Sequence, residues 1–168
     1  DAESLVNAVC VAAGTPAVFG AVLGNAEHGR VFRVLPGQTA CYQCIVLAQA
    51  GDPARFPRFS ARDTGMPAYA QPGVPGLGID VEEVALLTAR MTLQTIGTRV
   101  EGGVGYPPAH SDHLLWSAVG GWAVDGPLQT RAERIPRHPD CPVCGSVGFT
   151  PLSASELREL GLLRDGLV

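Results

Sequence analysis

The chain has 168 residues, of which 46% are hydrophobic, and this is enough for one globular domain with a buried core. Its net charge of −4 offers no basic surface to a phosphate backbone, so we expect no nucleic-acid partner. No apolar run approaches the roughly 18 residues of a membrane-spanning helix, so we expect no membrane partner and a cytoplasmic location. The chain begins with Asp1 without a leader sequence, and we expect it to be part of a longer protein.

The first segment predicts a helix followed by two strands. Residues 2–14 carry apolar side chains at helical spacing, and Gly14 is a typical helix end. Residues 17–24 and 29–37 have strand character, and the second stretch alternates in part. The sequence CYQC, 41–44, follows directly. The apolar positions of the helix are Leu5, Ala8, Val9 and Ala12.

The middle of the chain predicts a long loop and then a helix. Residues 51–78 are rich in Pro, Gly and Arg without a sustained period, which indicates a functional loop. Residues 79–97 predict the clearest helix, with Asp80 as its N-cap, Glu83 completing a capping box and Gly97 at its end. The apolar stripe of this helix contains Val84, Leu87, Met91 and Thr95.

The last part predicts two more strands and a short terminal helix. Residues 113–124 and 128–136 have strand character, and the turn DGP joins them. We expect Trp116 and Trp122 to be core or interface anchors. Ser153 and Glu156 form a capping pattern for a short helix near the C terminus.

The cysteines are the strongest chemical signal in the sequence. A C-x-x-C turn presents two sulfurs on one side of a tight loop, so two such turns would complete a tetrahedral zinc site. Pro142 and Gly145 suit the second turn, because Pro fixes φ and Gly tolerates a positive φ. Since about a hundred residues separate the pairs, the metal would join two distant parts of the fold. The five cysteines are the pairs Cys41/Cys44 and Cys141/Cys144 and the single Cys10.

Two other interpretations of the cysteines remain open. A secreted scaffold would join them as disulfides, but their number is odd and no leader precedes them. A thioredoxin-like dithiol would need only one pair, at the start of a helix that follows a strand. The pairing favours zinc over both. Cys10 lies in an apolar helical run, and we expect it to be a buried small hydrophobe rather than a nucleophile.

The order of these segments resembles the C-terminal half of the family that contains ThiF, MoeB and the ubiquitin-activating enzymes. The resemblance implies an α/β fold, the C-terminal part of a Rossmann-like fold with a mixed sheet, and one structural Zn²⁺ held by the four paired cysteines. It covers residues 1–146, and 147–168 would be a C-terminal extension. The matching segments are LVNAVCVAAGTPAVFGAVLG, GRVFRVLPGQTACYQC, the long crossover loop, GIDVEEVALLTARMTLQTI and RHPDCPVCG.

The resemblance also implies a function for a larger protein. Family members use ATP and Mg²⁺ to adenylate the C terminus of a ubiquitin-like or sulfur-carrier protein, and they commonly form homodimers. Their Gly-rich nucleotide loop lies in the N-terminal half, which is absent here, so we expect this chain alone to be inactive. It would supply the zinc site, strands that dock the partner and the crossover loop.

Two alternative functions stay open beside an adenylating enzyme. The first is a non-catalytic, zinc-stabilised module that binds a ubiquitin-like partner. The second is a dithiol redox protein with reactive cysteines and no metal. The two cysteine pairs favour either zinc hypothesis over the redox one, and only the resemblance separates the two zinc hypotheses.

Residues in the predicted loop and at the start of the first helix are further candidates. Some family members use a cysteine in the crossover loop to accept the activated carboxyl group of the carrier protein. Residues 45–79 of this chain contain no cysteine. Ser60 and Thr64 in that loop have no neighbouring base, so we expect them to be solvated. The resemblance could match Asp1 to an acidic residue near magnesium, although a helix N-cap is the plainer role.

Three histidines are the remaining polar candidates. His110, Asp112 and His113 could form a metal or acid–base cluster, but a loop leading into a strand is the favoured interpretation. His138 lies three residues before Cys141, so it could donate a hydrogen bond to a zinc ligand or be exposed.

Overall fold

A computed structural model describes residues 2–23, 26–52, 78–97, 111–121 and 124–145, and the statements below concern those residues. The elements in chain order are α1 (Ala2–Ala12), β1 (Ala17–Leu23), β2 (His28–Val34), α2 (Tyr42–Gly51), α3 (Gly78–Gly97), β3 (His113–Ser117) and β4 (Gln129–Glu133). The predicted terminal helix with Ser153 and Glu156 lies outside the described residues.

A four-stranded sheet with the order β1-β2-β3-β4 forms the middle layer. One residue from each strand forms a row across the sheet. Phe19 lies opposite Phe32, Phe32 opposite His113, and His113 opposite Glu133. The sequence led us to expect a mixed sheet, but every described strand pair is antiparallel. For two of the three pairs the reason is local: β1 and β2, like β3 and β4, are neighbours in sequence and return through short connections, which antiparallel pairing allows.

Strand β2 is central and is covered on both faces. Val31 packs with Val84 and Met91 of α3 and with Trp116, so this tryptophan belongs to the core. The next residue, Phe32, faces the other way and packs in the cluster that contains the four paired cysteines. Successive side chains of a strand point to opposite faces. The fold is therefore layered, with α3 on one side of the sheet and α1 and α2 on the other.

Helix α3 has the buried stripe that its sequence predicts. Val84, Met91 and Thr95 are buried, and the Thr95 hydroxyl donates to the carbonyl of Met91 at 2.7 Å, so a polar residue fits the stripe. The N-cap prediction is wrong, because the helix begins at Gly78 and places Asp80 inside its first turn. No described helix is both long enough and apolar enough to cross a bilayer.

Two glycines of the sheet permit the close approach of α3. A Cβ atom at Gly20 would overlap the hydroxyl of Thr88, and one at Gly29 would overlap a methyl group of Val84. Because packed interiors hold few voids, neither site can absorb an added methyl without displacing the helix.

Helix α1 ends as predicted but buries a different side. Gly14 has φ +65°, and the N–H of Thr15 donates to the carbonyl of Cys10 at 2.9 Å, which is a Schellman-type ending. Leu5, expected on the apolar side, is 67% exposed, whereas Asn7 is buried with Val11. Polar contacts orient the helix, because Asn7 and Glu3 bond to α2 and β2 respectively.

Helix α2 and the true ends of β3 and β4 are not apparent from the sequence. The sequence pattern predicts no element between CYQC and the loop that begins at residue 51, but Tyr42–Gly51 is helical. Its buried residues fall in the first turn and no long apolar stripe follows, so the periodicity is weak. Strands β3 and β4 are shorter than expected, because the positive φ of Gly120 and Gly121 and the bridge to Val124 turn the chain early.

His113 is a titratable residue that is buried in the sheet. Its side chain lies beside the Phe32 ring, and neither ring nitrogen has a hydrogen-bond partner among the described residues. Burial, with a smaller contribution from the Arg30 charge, lowers the pKa of His113 to about 4. The imidazole is therefore neutral in the folded protein at pH 7.

Replacing Gly29 with Ala should destabilise the protein by about 1–3 kcal/mol, because the new methyl overlaps Val84. The matched control is Gly51→Ala at the end of α2, where nothing lies within 4 Å of the added carbon. Urea unfolding of both variants under identical metal loading measures the difference. An unchanged midpoint for Gly29→Ala would contradict close packing of α3.

The buried His113 should make stability fall as the pH drops below 6.5. The unfolded state, with an ordinary histidine pKa, binds the proton first, so the penalty grows between pH 6.5 and about 4 and reaches about 3 kcal/mol. We expect His113→Gln to remove about 1 kcal/mol of the loss between pH 7.5 and pH 5.5. Urea unfolding at both pH values measures the change in unfolding free energy for wild type and variant. The difference between the two changes removes the contribution of other titrating groups. If stability had the same pH dependence in the two proteins, the pKa of His113 would be the same in the folded and unfolded states, and the prediction would be wrong.

Candidate metal centre

The four paired cysteines meet on the α1 and α2 side of the sheet. Their sulfurs lie within 4.8 Å of one another, and all four residues are buried. The sulfurs of Cys41 and Cys141 are 3.6 Å apart, and those of Cys44 and Cys144 are 3.3 Å apart. A tetrahedral ion with Zn–S bonds of about 2.3 Å would place its sulfurs roughly 3.8 Å apart. The cluster has the size that holds one metal ion.

A tight turn delivers the first pair from the end of β2. Gly37 has φ +78°, and the N–H of Gln38 donates to the carbonyl of Leu35 at 2.9 Å, so Leu35–Gln38 forms a type II turn. Pro36 and Gly37 occupy the two central positions that this turn favours. The chain then enters α2 with Cys41 as its N-cap residue and Cys44 in its first turn.

The second pair is held in a turn that only glycine can complete. The N–H of Gly145 donates to the carbonyl of Cys141 at 2.8 Å. A Cβ atom at Gly145 would collide with the carbonyl oxygens of Pro139 and Cys141. The expectation that Gly145 adopts a positive φ is wrong, because its φ lies outside the left-handed region. Lack of space, not backbone conformation, requires glycine.

The thiols share protons in a way that favours a cation. The Cys41 sulfur lies 3.9 Å from the Cys44 sulfur, and this hydrogen bond raises the pKa of Cys41 and lowers that of Cys44 to about 4. One thiolate is thus stabilised by a neighbouring thiol, whereas further thiolates in the same space would repel it. A divalent cation at the centre would allow all four sulfurs to ionise.

Backbone and side-chain groups around the sulfurs fix their positions. The His138 backbone N–H donates to the Cys44 sulfur at 3.4 Å, while the His138 ring accepts a bond from the Asp140 N–H. Asn7 accepts a bond from the Tyr42 N–H at 3.0 Å, and so caps the helix that carries the first pair. Arg137 donates to the carbonyl of Gly37 at 2.9 Å.

Sequence reasoning missed Asn7 and Arg137 as parts of this centre. Neither belongs to a cysteine motif, and each contacts a segment far away in the chain. His138 is exposed, which is one of its two expected outcomes, and it is the backbone N–H rather than the ring that bonds to a cysteine sulfur. Only the closeness of Arg137 to the second pair was a signal in the sequence.

The other candidate residues do not form a second cluster within the described ranges. Asp112 pairs with Arg33, its Oδ1 lying 2.6 Å and 2.9 Å from two guanidinium nitrogens, while the buried His113 ring has no hydrogen-bond partner among the described residues. Cys10 is half-buried in α1, and burial raises the pKa of its thiol. The sequence candidates that lie outside the described residues are Asp1, Ser60, Thr64, His110 and Trp122.

Solved structures with the same fold come from larger proteins. E. coli MccB superposes with a TM-score of 0.55 at 16% identity, covering 90% of this chain and 37% of that one. MccB solved with MccA-N7isoASN gives a TM-score of 0.52 at 16% identity over 86% of this chain and 38% of that one. The heterocyclase TruD gives 0.51 at 15% identity over 96% of this chain and 25% of that one. The chain therefore spans well under half the length of these proteins.

Sequence comparison identifies the family directly. No curated protein matches the chain significantly. The ThiF family, however, matches residues 1–149, which include α1, all four strands and both cysteine pairs. The α/β layers and the cluster of four cysteines described above agree with that match. This chain belongs to the ThiF family.

Proposed function

We propose that this chain is the metal-bearing part of an enzyme that adenylates the C terminus of a ubiquitin-like or sulfur-carrier protein. The match of residues 1–149 to the ThiF family carries the proposal. MccB, which shares the fold, has been solved together with MccA-N7isoASN, and this supports a polypeptide tail as the substrate. Residues 1–146 would be the family region, and 147–168 an extension.

We assign a structural Zn²⁺ to Cys41, Cys44, Cys141 and Cys144. Four sulfur ligands close the coordination shell, which leaves no position for water or substrate. The ion would therefore stabilise the fold and take no part in the chemistry. The buried positions of all four residues support that role, because four thiolates in one buried space are tolerated only beside a cation.

ATP and Mg²⁺ would bind a part of the protein outside this chain. In the reaction, a terminal carboxylate oxygen of the carrier would bond to the α-phosphorus while the bond to the β-phosphate oxygen breaks. Pyrophosphate leaves and an acyl-adenylate remains. The larger size of the solved relatives supports this division of labour, since 63% of MccB lies outside the matched segment that covers 37% of it.

An uncovered apolar surface supports contact with further protein on the α3 side. Ile79 is 71% exposed, Leu86 65% and Ile96 53%, and all three belong to α3. Beside them, a groove of about 650 Å³ runs between α3 and β1 and is lined by Val22 and Leu93 among others. Large apolar side chains exposed beside an apolar groove are typical of an interaction site. We assign it to the ATP-binding part, with a second copy of the chain as the competing occupant.

The zinc assignment predicts one zinc per chain and four thiols that become reactive when a strong chelator is added. Loss of the fold should accompany chelation, because metal binding and folding are coupled. Elemental analysis and thiol titration of the purified protein measure both quantities. Cys144→Ser should lose at least tenfold in zinc affinity, whereas Cys10→Ser, the matched control, should keep it. Metal-free protein with oxidised cysteines would favour the redox or disulfide alternatives instead.

The adenylation proposal predicts ATP–pyrophosphate exchange by the full-length protein and none by residues 1–168 alone. Exchange should depend on the carrier protein, because its carboxylate is the nucleophile. Isotope exchange with labelled pyrophosphate is the measurement. A full-length protein that binds a ubiquitin-like partner without any exchange would instead identify a non-catalytic interaction module.

A further inference from the structure

The side chain of Arg137 spans the two halves of the candidate metal centre. One terminal nitrogen of its guanidinium donates to the carbonyl of Gly37 at 2.9 Å, in the turn that precedes the first cysteine pair. The other terminal nitrogen donates to the carbonyl of Cys144, in the second pair. The two acceptors lie on segments that are about a hundred residues apart in the chain.

The position of Arg137 matters because nothing covalent joins those segments. All five cysteines are free, so the two pairs are held together by packing, by hydrogen bonds and by any bound ion. The next residue adds a parallel link, since the His138 N–H donates to the Cys44 sulfur at 3.4 Å. Residues 137 and 138 thus reach from the second pair to the first at two points.

The chemistry of the guanidinium suits this bridging role. Its planar, rigid fork presents several N–H groups in fixed directions, so one side chain can satisfy two carbonyls at once. A lysine ammonium is a flexible point charge and would not fix the separation of the two segments in the same way. The positive charge also lies at the carbonyl of a residue that would be a thiolate in the metal-bound state.

We infer that Arg137 is a positioning residue that controls how long the centre retains its metal, by clamping the two cysteine segments at their bonding separation. The inference rests on the proposed zinc site and is independent of adenylation. Release of a metal from a closed centre requires one cysteine segment to move away. Breaking both bonds of the clamp lowers the cost of that movement, so release becomes faster.

The test uses the full-length, zinc-loaded protein and the rate at which zinc passes to an excess of a chromophoric chelator. Arg137→Gln removes both the charge and the fork, and Arg137→Lys keeps the charge but removes the fork. We expect both variants to release zinc about tenfold faster, the lower end of the range for residues that support metal ligands. The matched control, Arg134→Gln, makes the same change of charge three residues earlier and should stay within about twofold of wild type.

Two further measurements distinguish faster zinc release from a change of ligands and from loss of the fold. Co²⁺ substitution should give the same thiolate charge-transfer spectrum in all the variants, because the ligands are unchanged, and urea unfolding of the loaded proteins should show an intact fold. Wild-type release rates in both Arg137 variants would overturn the inference, as would a normal rate in Arg137→Lys alone, which would assign the effect to charge. Wild-type protein purified without metal would instead overturn the zinc site itself.

Discussion

The meeting of four sulfurs from two distant segments is the constraint on which one whole layer of this protein depends. Cys41, Cys44, Cys141 and Cys144 are not appended to the fold, because they pack in the same cluster as Val11, Phe32 and Ile45. Removing the charge compensation at the centre would therefore place repelling groups inside the hydrophobic core. With the proposed zinc ion bound, metal retention and core integrity would be one property, since each would hold the same segments in place.

Strand β2 transmits that constraint to the rest of the sheet. Phe32 stacks on Phe19 with ring centroids 4.7 Å apart and on Tyr42 at 5.8 Å, so one ring of β2 links β1 to the helix that carries the first cysteine pair. The Arg30 guanidinium lies over both Phe32 and Tyr42 and also bonds to Glu3 at 2.8 Å. Strand β2 thus connects α1, α2 and β1 through side chains on one face. Its other face packs on α3.

The parts of the fold that the sequence predicts correctly are those set by local patterns. The stripe of α3 and the glycine end of α1 each depend on residues within a few positions of one another. The cysteine pairs were also recognisable, because ligand chemistry restricts both residue type and spacing. Helix α2 was not, since its buried residues, Tyr42, Cys44 and Ile45, lie at its start and leave no long apolar stripe.

The predictions that were wrong or missing for the candidate site residues also concern contacts between distant parts of the chain. Asp112 and His113 are adjacent in sequence, but Asp112 precedes β3 and pairs with Arg33, while the first strand residue turns its ring into the core. Asn7 and Arg137 act across 35 and 100 residues, which no local pattern encodes. The expectation of a mixed sheet came from the whole family fold, whereas the described strands pair antiparallel throughout, including β2 and β3, which lie far apart in the chain.

The two faces of the sheet differ in a way that bears on the proposed function. On the cysteine side, the four paired cysteines are buried and Arg137 links their two segments. On the α3 side, large apolar side chains such as Ile79 and Leu86 remain exposed, although the same helix already buries a full stripe against the sheet. Large apolar side chains exposed among charged ones on the outer side of a helix are typical of a surface that contacts another protein. Under the proposed function, the metal centre would fix the rigid layer and the ATP-binding part would complete the opposite one, so the zinc would support catalysis by holding the sheet rather than by touching the substrate.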